Sequence, residues 1–118
     1  MNDKELADRI VALGVGTAIL DDMYGWRYKA PGSHEEIEAI YFVRDWRVAG
    51  AMMEKVDSVY LEALVAPMNL PDSWQAQASM DAMPTKWIVH QSSGPRAINE
   101  VCVEALDERG HRMECDER

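Results

Sequence analysis

The segment from Phe42 to Val56 carries a helical pattern that constrains the fold more than any other part of the chain. Its apolar residues recur at alternating steps of four and three, which places them on one face of an α-helix. Charged side chains occupy most of the other positions, so the pattern predicts a half-buried helix, starting near His34 behind a Ser33 capping box. We expect this helix to be the buried centre of the fold, with its apolar face formed by Phe42, Trp46, Ala49, Met53 and Val56.

Periodicity and turn residues elsewhere predict the order helix, strand, strand, helix, strand, strand, helix. Strands joined by short turns pair antiparallel, and helices then pack over the sheet. The predicted fold class is therefore α+β, with a small antiparallel sheet of about four strands and two to three helices. Between Pro67 and Met83 the pattern is weak, and one or two helical turns from Pro71 to Ser79 are the best interpretation.

The length of 118 residues fits one domain. We expect residues 1–106 to form it, because the last apolar stripe at helical spacing ends near Leu106. Residues 107–118 are rich in charge and are expected to be a flexible C-terminal tail. The sequence has neither a secretory signal nor an apolar run long enough for a membrane helix, which favours a cytoplasmic location.

The chain carries 12 basic and 21 acidic residues and a net charge of −9. This balance argues against direct binding of nucleic acid or of an anionic membrane, since both require a basic surface. An acidic surface attracts a basic protein partner, or it only keeps the protein soluble. Both interpretations stay open at this point, and the oligomeric state is not predicted.

Side chains with chemical reactivity form no convincing site. The set of Cys102, His111 and Cys115 offers three metal ligands at most, whereas structural zinc takes four in paired spacings. His90 beside Ser92 lacks the strained turn of a hydrolase nucleophile. Cys102 lies in an apolar helical stripe, where a thiol behaves as a small hydrophobic group. We therefore predict no catalytic residue, no metal and no cofactor.

Aromatic residues on irregular or half-buried segments are the best candidates for contact with a partner, because aromatic side chains anchor many protein interfaces. One charged residue joins them, since it is bracketed by two arginines and could recognise a partner or only form a helix-surface ion pair. The predicted partner-binding residues are Tyr24, Trp26, Tyr28, Asp45 and Trp74.

Three segments together resemble a known family. FVRDWRVAGAMMEKV at 42–56, with residues 5–16 before it and 95–106 after it, is similar to the small tailed-phage and prophage proteins called the phage ABA sandwich domain. The resemblance implies layers of helix, sheet and helix, and an accessory protein of a phage or prophage in the host bacterial cytoplasm. That family has no established activity, so no functional residues are transferred from it.

Three functions are compatible with these observations. The first is a non-enzymatic protein that binds and modulates a host protein, for example a counter-defence inhibitor similar to an anti-CRISPR. The second is an enzyme or small-ligand binder with a site under residues 67–83. The third is a structural or self-assembling phage component.

Overall fold

The structure, a computed structural model, describes residues 1–64, 73–80, 86–91 and 93–116. Within these ranges the chain forms four α-helices and five β-strands in the order α1, β1, β2, α2, α3, β3, β4, β5, α4. The predicted α+β class is confirmed, and so is the broad order of helices and strand pairs. None of the helices in the described part of the chain is both long and apolar enough to span a membrane.

Helix α1 spans Asp3–Ala12 and begins at Asn2, whose side chain accepts a hydrogen bond from the backbone amide of Glu5 at 2.8 Å. This cap satisfies an amide that has no partner within the first helical turn. The helix stops before Gly14, where φ is 89°, a conformation that glycine adopts without steric cost. Its buried side is formed by Leu6, Ala7 and Ile10.

Strands β1 (Thr17–Asp21) and β2 (Gly25–Lys29) form an antiparallel hairpin, as the sequence predicts. Asp21 holds the turn, because its carboxylate accepts the backbone amides of Met23 and Tyr24 at 2.7 and 3.0 Å. This is the way in which Asp commonly stabilises a turn. A two-stranded hairpin needs further packing to be stable, and here α1 and α2 pack against it.

The long helix predicted from His34 to Val56 is instead two short helices, α2 (Ala39–Phe42) and α3 (Trp46–Met53). The predicted apolar stripe is also wrong at Trp46, which is 58% exposed. Residues 43–45 separate the helices, and the extended Asp45 caps α3 by accepting a hydrogen bond from the amide of Arg47 at 2.7 Å.

The predicted capping box before this segment is wrong as well. The Ser33 hydroxyl accepts the amide of Glu35 at 3.2 Å, and no helix starts there. Two residues further on, Ile37 pairs with Tyr28 of β2 in a short antiparallel bridge. The backbone bonds of that bridge measure 2.7 and 2.8 Å, so residues near Ile37 extend the hairpin sheet rather than a helix.

A second antiparallel sheet contains β3 (Ser58–Leu64), β4 (Ser73–Ser79) and β5 (Lys86–Gln91) in that spatial order. Strand β4 corrects the helical turns predicted for Pro71 to Ser79. Its apolar residues Trp74, Ala76 and Ala78 alternate with serine and glutamine, and the two alanines are buried. A period of two is the pattern of a half-buried strand.

Helix α4 spans Gly94–Asp116 and joins the two parts of the molecule, because it packs on all three strands of the second sheet and on α1 and α3. Ser93 caps it by accepting the amide of Arg96 at 3.1 Å. The helix continues past residue 106, where the domain was expected to end, and the division into domain and flexible tail stays a prediction. Its buried stripe includes Ala97, Ile98, Val101, Cys102 and Ala105.

Candidate functional site

Exposed apolar side chains are concentrated in one part of the described chain. Among the residues whose burial the structure describes, nine large apolar residues are exposed, and seven of them lie between residues 20 and 46. Four of these residues line two surface grooves, and adjoining apolar surface marks an interaction site more often than single scattered residues do. The seven are Leu20, Met23, Tyr24, Trp26, Ile40, Tyr41 and Trp46.

Two of these aromatic rings project from the end of the hairpin. Tyr24 is 71% exposed and Trp26 is 45% exposed. The Lys4 ammonium lies 5.4 Å from the centre of the Trp26 ring, and the Arg27 guanidinium lies 5.7 Å from that of Tyr24. A cation above an aromatic face is attracted to it, so these contacts orient both rings, which remain partly exposed to solvent.

A groove of about 550 Å³ separates these rings from helix α2. Tyr24 and Trp26 form one wall, and Ile40 lies on the other. All four residues of α2 are apolar, so apolar side chains lie on every side of its single turn. Phe42 faces the core, while Ile40 is 44% exposed. The groove is therefore lined by apolar surface on both sides.

A second groove, of about 450 Å³, adjoins the first, and the two share Arg27 and Glu38 in their linings. Its aromatic component is Tyr41, which is 62% exposed. The start of α3 contributes Asp45 and Arg47. We call the surface formed by both grooves the hairpin–α2 face, with Tyr24, Trp26, Ile40 and Tyr41 as its apolar residues.

Five acidic and three basic side chains line this face: Asp3, Glu35, Glu36, Glu38 and Asp45, with Lys4, Arg27 and Arg47. All three basic groups already have partners within the protein. Lys4 pairs with Asp8 at 2.6 Å, Arg27 with Glu38 at 3.8 Å and Arg47 with Asp45 at 2.7 Å.

The pair of Arg47 and Asp45 is the tightest charged contact in the second groove. Two guanidinium nitrogens donate to the two carboxylate oxygens, at 3.1 and 2.7 Å. These bonds lower the pKa of Asp45 and raise the pKa of Arg47. In contrast, Glu35 and Glu36 are exposed and form no ion pair with any residue that the structure describes. The unneutralised charge of the face is therefore negative.

The structure separates the predicted partner-binding residues. Tyr24, Trp26 and Asp45 all line the hairpin–α2 face. Tyr28 is among the residues that line the first groove, but its ring is fully buried, stacks on Phe42 and donates to Asp8, so it offers no exposed surface to a partner. Trp74 lies on β4, half-buried and packed against the core.

Sequence reasoning missed Ile40 and Tyr41, because both fall within the helix that was predicted to be continuous. A local signal for the break is present in Asp45, a residue type that favours the N-cap position. Glu35 and Glu36 fall at the start of the predicted helix, whereas in the structure they precede α2 and line the second groove.

The Cys102 thiol, the cysteine side chain that the structure describes, does not line this face. Burial raises the pKa of the Cys102 thiol to about 12, so at neutral pH it is protonated and unreactive. Across the described ranges, no group of three or more His, Cys, Asp or Glu side chains is placed to hold a metal ion. The side chains of His90, His111 and Cys115 lie outside the described residues, as does most of the segment 67–83 that was considered as a ligand site.

No protein-family model matches the chain, and neither the curated proteins nor the solved structures contain a match to it. The resemblance to the phage ABA sandwich domain therefore stays a prediction from the sequence.

Proposed function

We propose that this protein is a non-enzymatic binding protein whose hairpin–α2 face contacts a basic segment of another protein. The observation that carries this proposal is the concentration of exposed apolar side chains along two adjoining grooves. Large aromatic side chains that lose their water contacts on binding supply most of the affinity of protein interfaces. Tyr24, Trp26 and Tyr41 are the expected anchors.

The charges of the face support a basic partner. Its own cations are neutralised internally, while Glu35 and Glu36 remain exposed. The net charge of −9 adds a long-range attraction for a positively charged partner and opposes association of two copies of this chain. Carboxylates beside aromatic rings suit arginine, which forms bidentate bonds with the former and stacks on the latter.

The biological setting is proposed from the sequence resemblance alone. On that basis the protein is an accessory protein of a phage or prophage that acts in the host bacterial cytoplasm. Its partner is then a host protein, and inhibition of a host defence system is one form that the modulation could take.

The test begins with capture of a partner from bacterial lysate, identification by mass spectrometry, and measurement of binding to the purified partner. We expect Trp26→Ala and Tyr41→Ala each to weaken binding by about 30-fold, the loss of about 2 kcal/mol that defines an interface anchor. The matched control is Tyr60→Ala, since Tyr60 is 55% exposed but lies on β3, away from both grooves. An equal loss of binding in the Tyr60 variant would contradict the assignment of the face.

The charge component has a separate test. Reversal of Glu35 and Glu36 to lysine should slow association more than it speeds dissociation, because exposed charges act mainly on encounter. Association by the unchanged protein should also slow as salt rises, since charges are screened over about 8 Å at physiological ionic strength. An association rate that is indifferent to both changes would exclude an electrostatic role for these glutamates.

A further inference from the structure

The break between α2 and α3 replaces one backbone hydrogen bond with two bonds to side chains. In an uninterrupted helix the carbonyl of Val43 would accept the amide of Arg47, four residues later. Here the Arg47 amide donates to the Asp45 carboxylate at 2.7 Å, and the Val43 carbonyl accepts from the Asn99 side-chain amide at 2.9 Å. Asp45 is extended, with φ −87° and ψ 129°, so the helix cannot continue through it.

Asn99 is an unusual residue for its position. It lies on the buried side of α4 among apolar neighbours and is fully buried itself. Its Nδ2 donates to Val43, but no residue in the described ranges donates to its Oδ1. A buried polar atom without a partner is destabilising, and an apolar side chain would avoid that loss. Within the described ranges, the one side-chain hydrogen bond of Asn99 is the bond to Val43 at the break.

The break also determines the shape of the hairpin–α2 face. Its second groove is lined by Tyr41 from α2 and by Asp45 and Arg47 from the start of α3, so the groove spans the break. If α2 and α3 formed one unbroken helix, Trp46 would lie on the same face as Phe42 and Ala49. Those two residues are fully buried, whereas Trp46 is 58% exposed.

We propose that Asn99 is a positioning residue for the hairpin–α2 face: from the opposite side of the core it holds the α2–α3 break, together with Asp45, and thereby sets the second groove. The conformational part of this inference is independent of any partner. Its consequence for binding rests on the proposed function.

Hydrogen exchange of backbone amides tests the conformational part on the full chain. In Asn99→Leu, which keeps a similar volume but cannot donate to Val43, we expect exchange to accelerate about tenfold at residues 43–47, the effect of losing one net hydrogen bond. Amides of β3 and β4 should exchange as before. The matched control is Val101→Ala, a buried position of the same helix that bonds nothing at the break, which should not single out residues 43–47.

A second variant keeps the test decisive if Asn99→Leu does not fold. Asp45→Ala removes the carboxylate that accepts the hydrogen bond of the Arg47 amide. We expect the same local acceleration of exchange at residues 43–47. Asp45→Asn should restore protection, because asparagine caps helices about as well as aspartate. Unchanged exchange at residues 43–47 in Asn99→Leu, or in Asp45→Ala if Asn99→Leu does not fold, would overturn the inference, and so would a uniform change throughout the chain.

Binding then separates the two proposals. With the captured partner, Asn99→Leu should weaken binding about tenfold or more although Asn99 does not reach the surface. Accelerated exchange at the break with unchanged binding would overturn the positioning role. Failure of Trp26→Ala and Tyr41→Ala to weaken binding would instead overturn the proposed function, whatever the exchange experiment shows.

Discussion

Tyr28 and Trp26 lie two residues apart on the same face of β2, yet Tyr28 is fully buried and Trp26 is 45% exposed. The difference arises from what covers the hairpin. At its base, Tyr28 stacks on Phe42 of α2 with ring centres 5.2 Å apart and donates to Asp8 of α1 at 2.6 Å. At its end, Trp26 contacts the flexible side chain of Lys4. Strand alternation determines the face of a residue, whereas neighbouring helices determine its burial.

The largest expected effect comes from replacing the rings of Tyr28 and Trp26 with alanine, one at a time. Tyr28→Ala should lower the free energy of unfolding by about 3–5 kcal/mol, the range for removing a buried aromatic side chain. Trp26→Ala should cost less than about 1 kcal/mol, because an exposed ring leaves no cavity. Denaturant titration of both variants measures the difference. Similar losses would mean that the end of the hairpin is covered as well as its base.

Two glycines with positive φ provide the same comparison for the backbone. A Cβ on Gly16 would lie 2.6 Å from the Lys29 carbonyl oxygen and 2.8 Å from the Phe42 ring, whereas a Cβ on Gly25 would meet nothing within 4 Å. Both residues have similar φ angles, 72° and 76°. The strain of a left-handed alanine is therefore common to both variants, and the steric clash occurs only at Gly16.

We expect Gly16→Ala to cost about 3 kcal/mol or more and Gly25→Ala about 1 kcal/mol, the cost of placing an L-residue in the left-handed region. Thermal unfolding of the two variants measures the gap. If they lost the same stability, the close approach of the base of the hairpin to Phe42 would be disproved.

The elements that were predicted correctly depend on local signals, and those that were not depend on distant contacts. The hairpin follows from Asp21 at the turn and from alternation on both sides of it. Strand β4 also had a local signal, the alternation of Trp74, Ala76 and Ala78, but the four-residue spacing of Leu70, Trp74 and Ala78 favoured a helical interpretation. The α2–α3 break depends partly on Asn99, which lies more than fifty residues away in the sequence. The residue pattern around Asp45 gives no information about that contact.

The candidate site was half predictable for the same reason. Tyr24 and Trp26 were selected because they are aromatic residues on a hairpin, and their exposure agrees with that choice. Tyr28 satisfied the same criterion but is covered by α1 and α2. Tyr41 was missed because its exposure and its place in the second groove follow from the packing of α2. A helix of one turn is too short for sequence periodicity to show which side is buried.

The hydrogen bond at the base of the hairpin has a smaller effect than the ring itself. Tyr28→Phe keeps the stacking on Phe42 and removes only the bond to Asp8, so we expect a loss of about 1–2 kcal/mol near neutral pH. Burial, followed by the bond to the Asp8 carboxylate and its charge, raises the pKa of Tyr28 above its ordinary value of 10.0.

The pH dependence of this variant follows from the direction of that shift. A raised pKa in the folded state means that the folded protein holds the phenol proton more tightly than the unfolded chain does. The stability that this shift provides is therefore fully present below about pH 10 and is lost as pH rises through the pKa of Tyr28 in the folded protein. At the acid side, burial raises the pKa of Asp8, but bonds from Lys4 and Tyr28 outweigh it and lower the pKa overall.

Stability measured against pH should then show two changes in Tyr28→Phe. The decline above about pH 10 should become shallower, because the shifted phenol is gone. The decline as pH falls through the pKa of Asp8 should also become shallower, because part of the stabilisation of the ionised carboxylate is lost. Parallel curves for wild type and Tyr28→Phe across both ranges would show that this bond does not form in solution.

Trp46 provides the smallest expected effect and extends the comparison beyond the hairpin. Its place in the periodic stripe with Phe42 and Ala49 predicts a core residue whose removal would cost about 3–5 kcal/mol. In the structure it begins α3 and is 58% exposed, so Trp46→Ala should cost less than about 1 kcal/mol in denaturant titration. Phe42→Ala is the matched variant from the same stripe and should cost the full 3–5 kcal/mol, because Phe42 is fully buried. A large loss in both variants would mean that α2 and α3 form one helix in solution, and it would remove the break that separates Tyr41 from the start of α3.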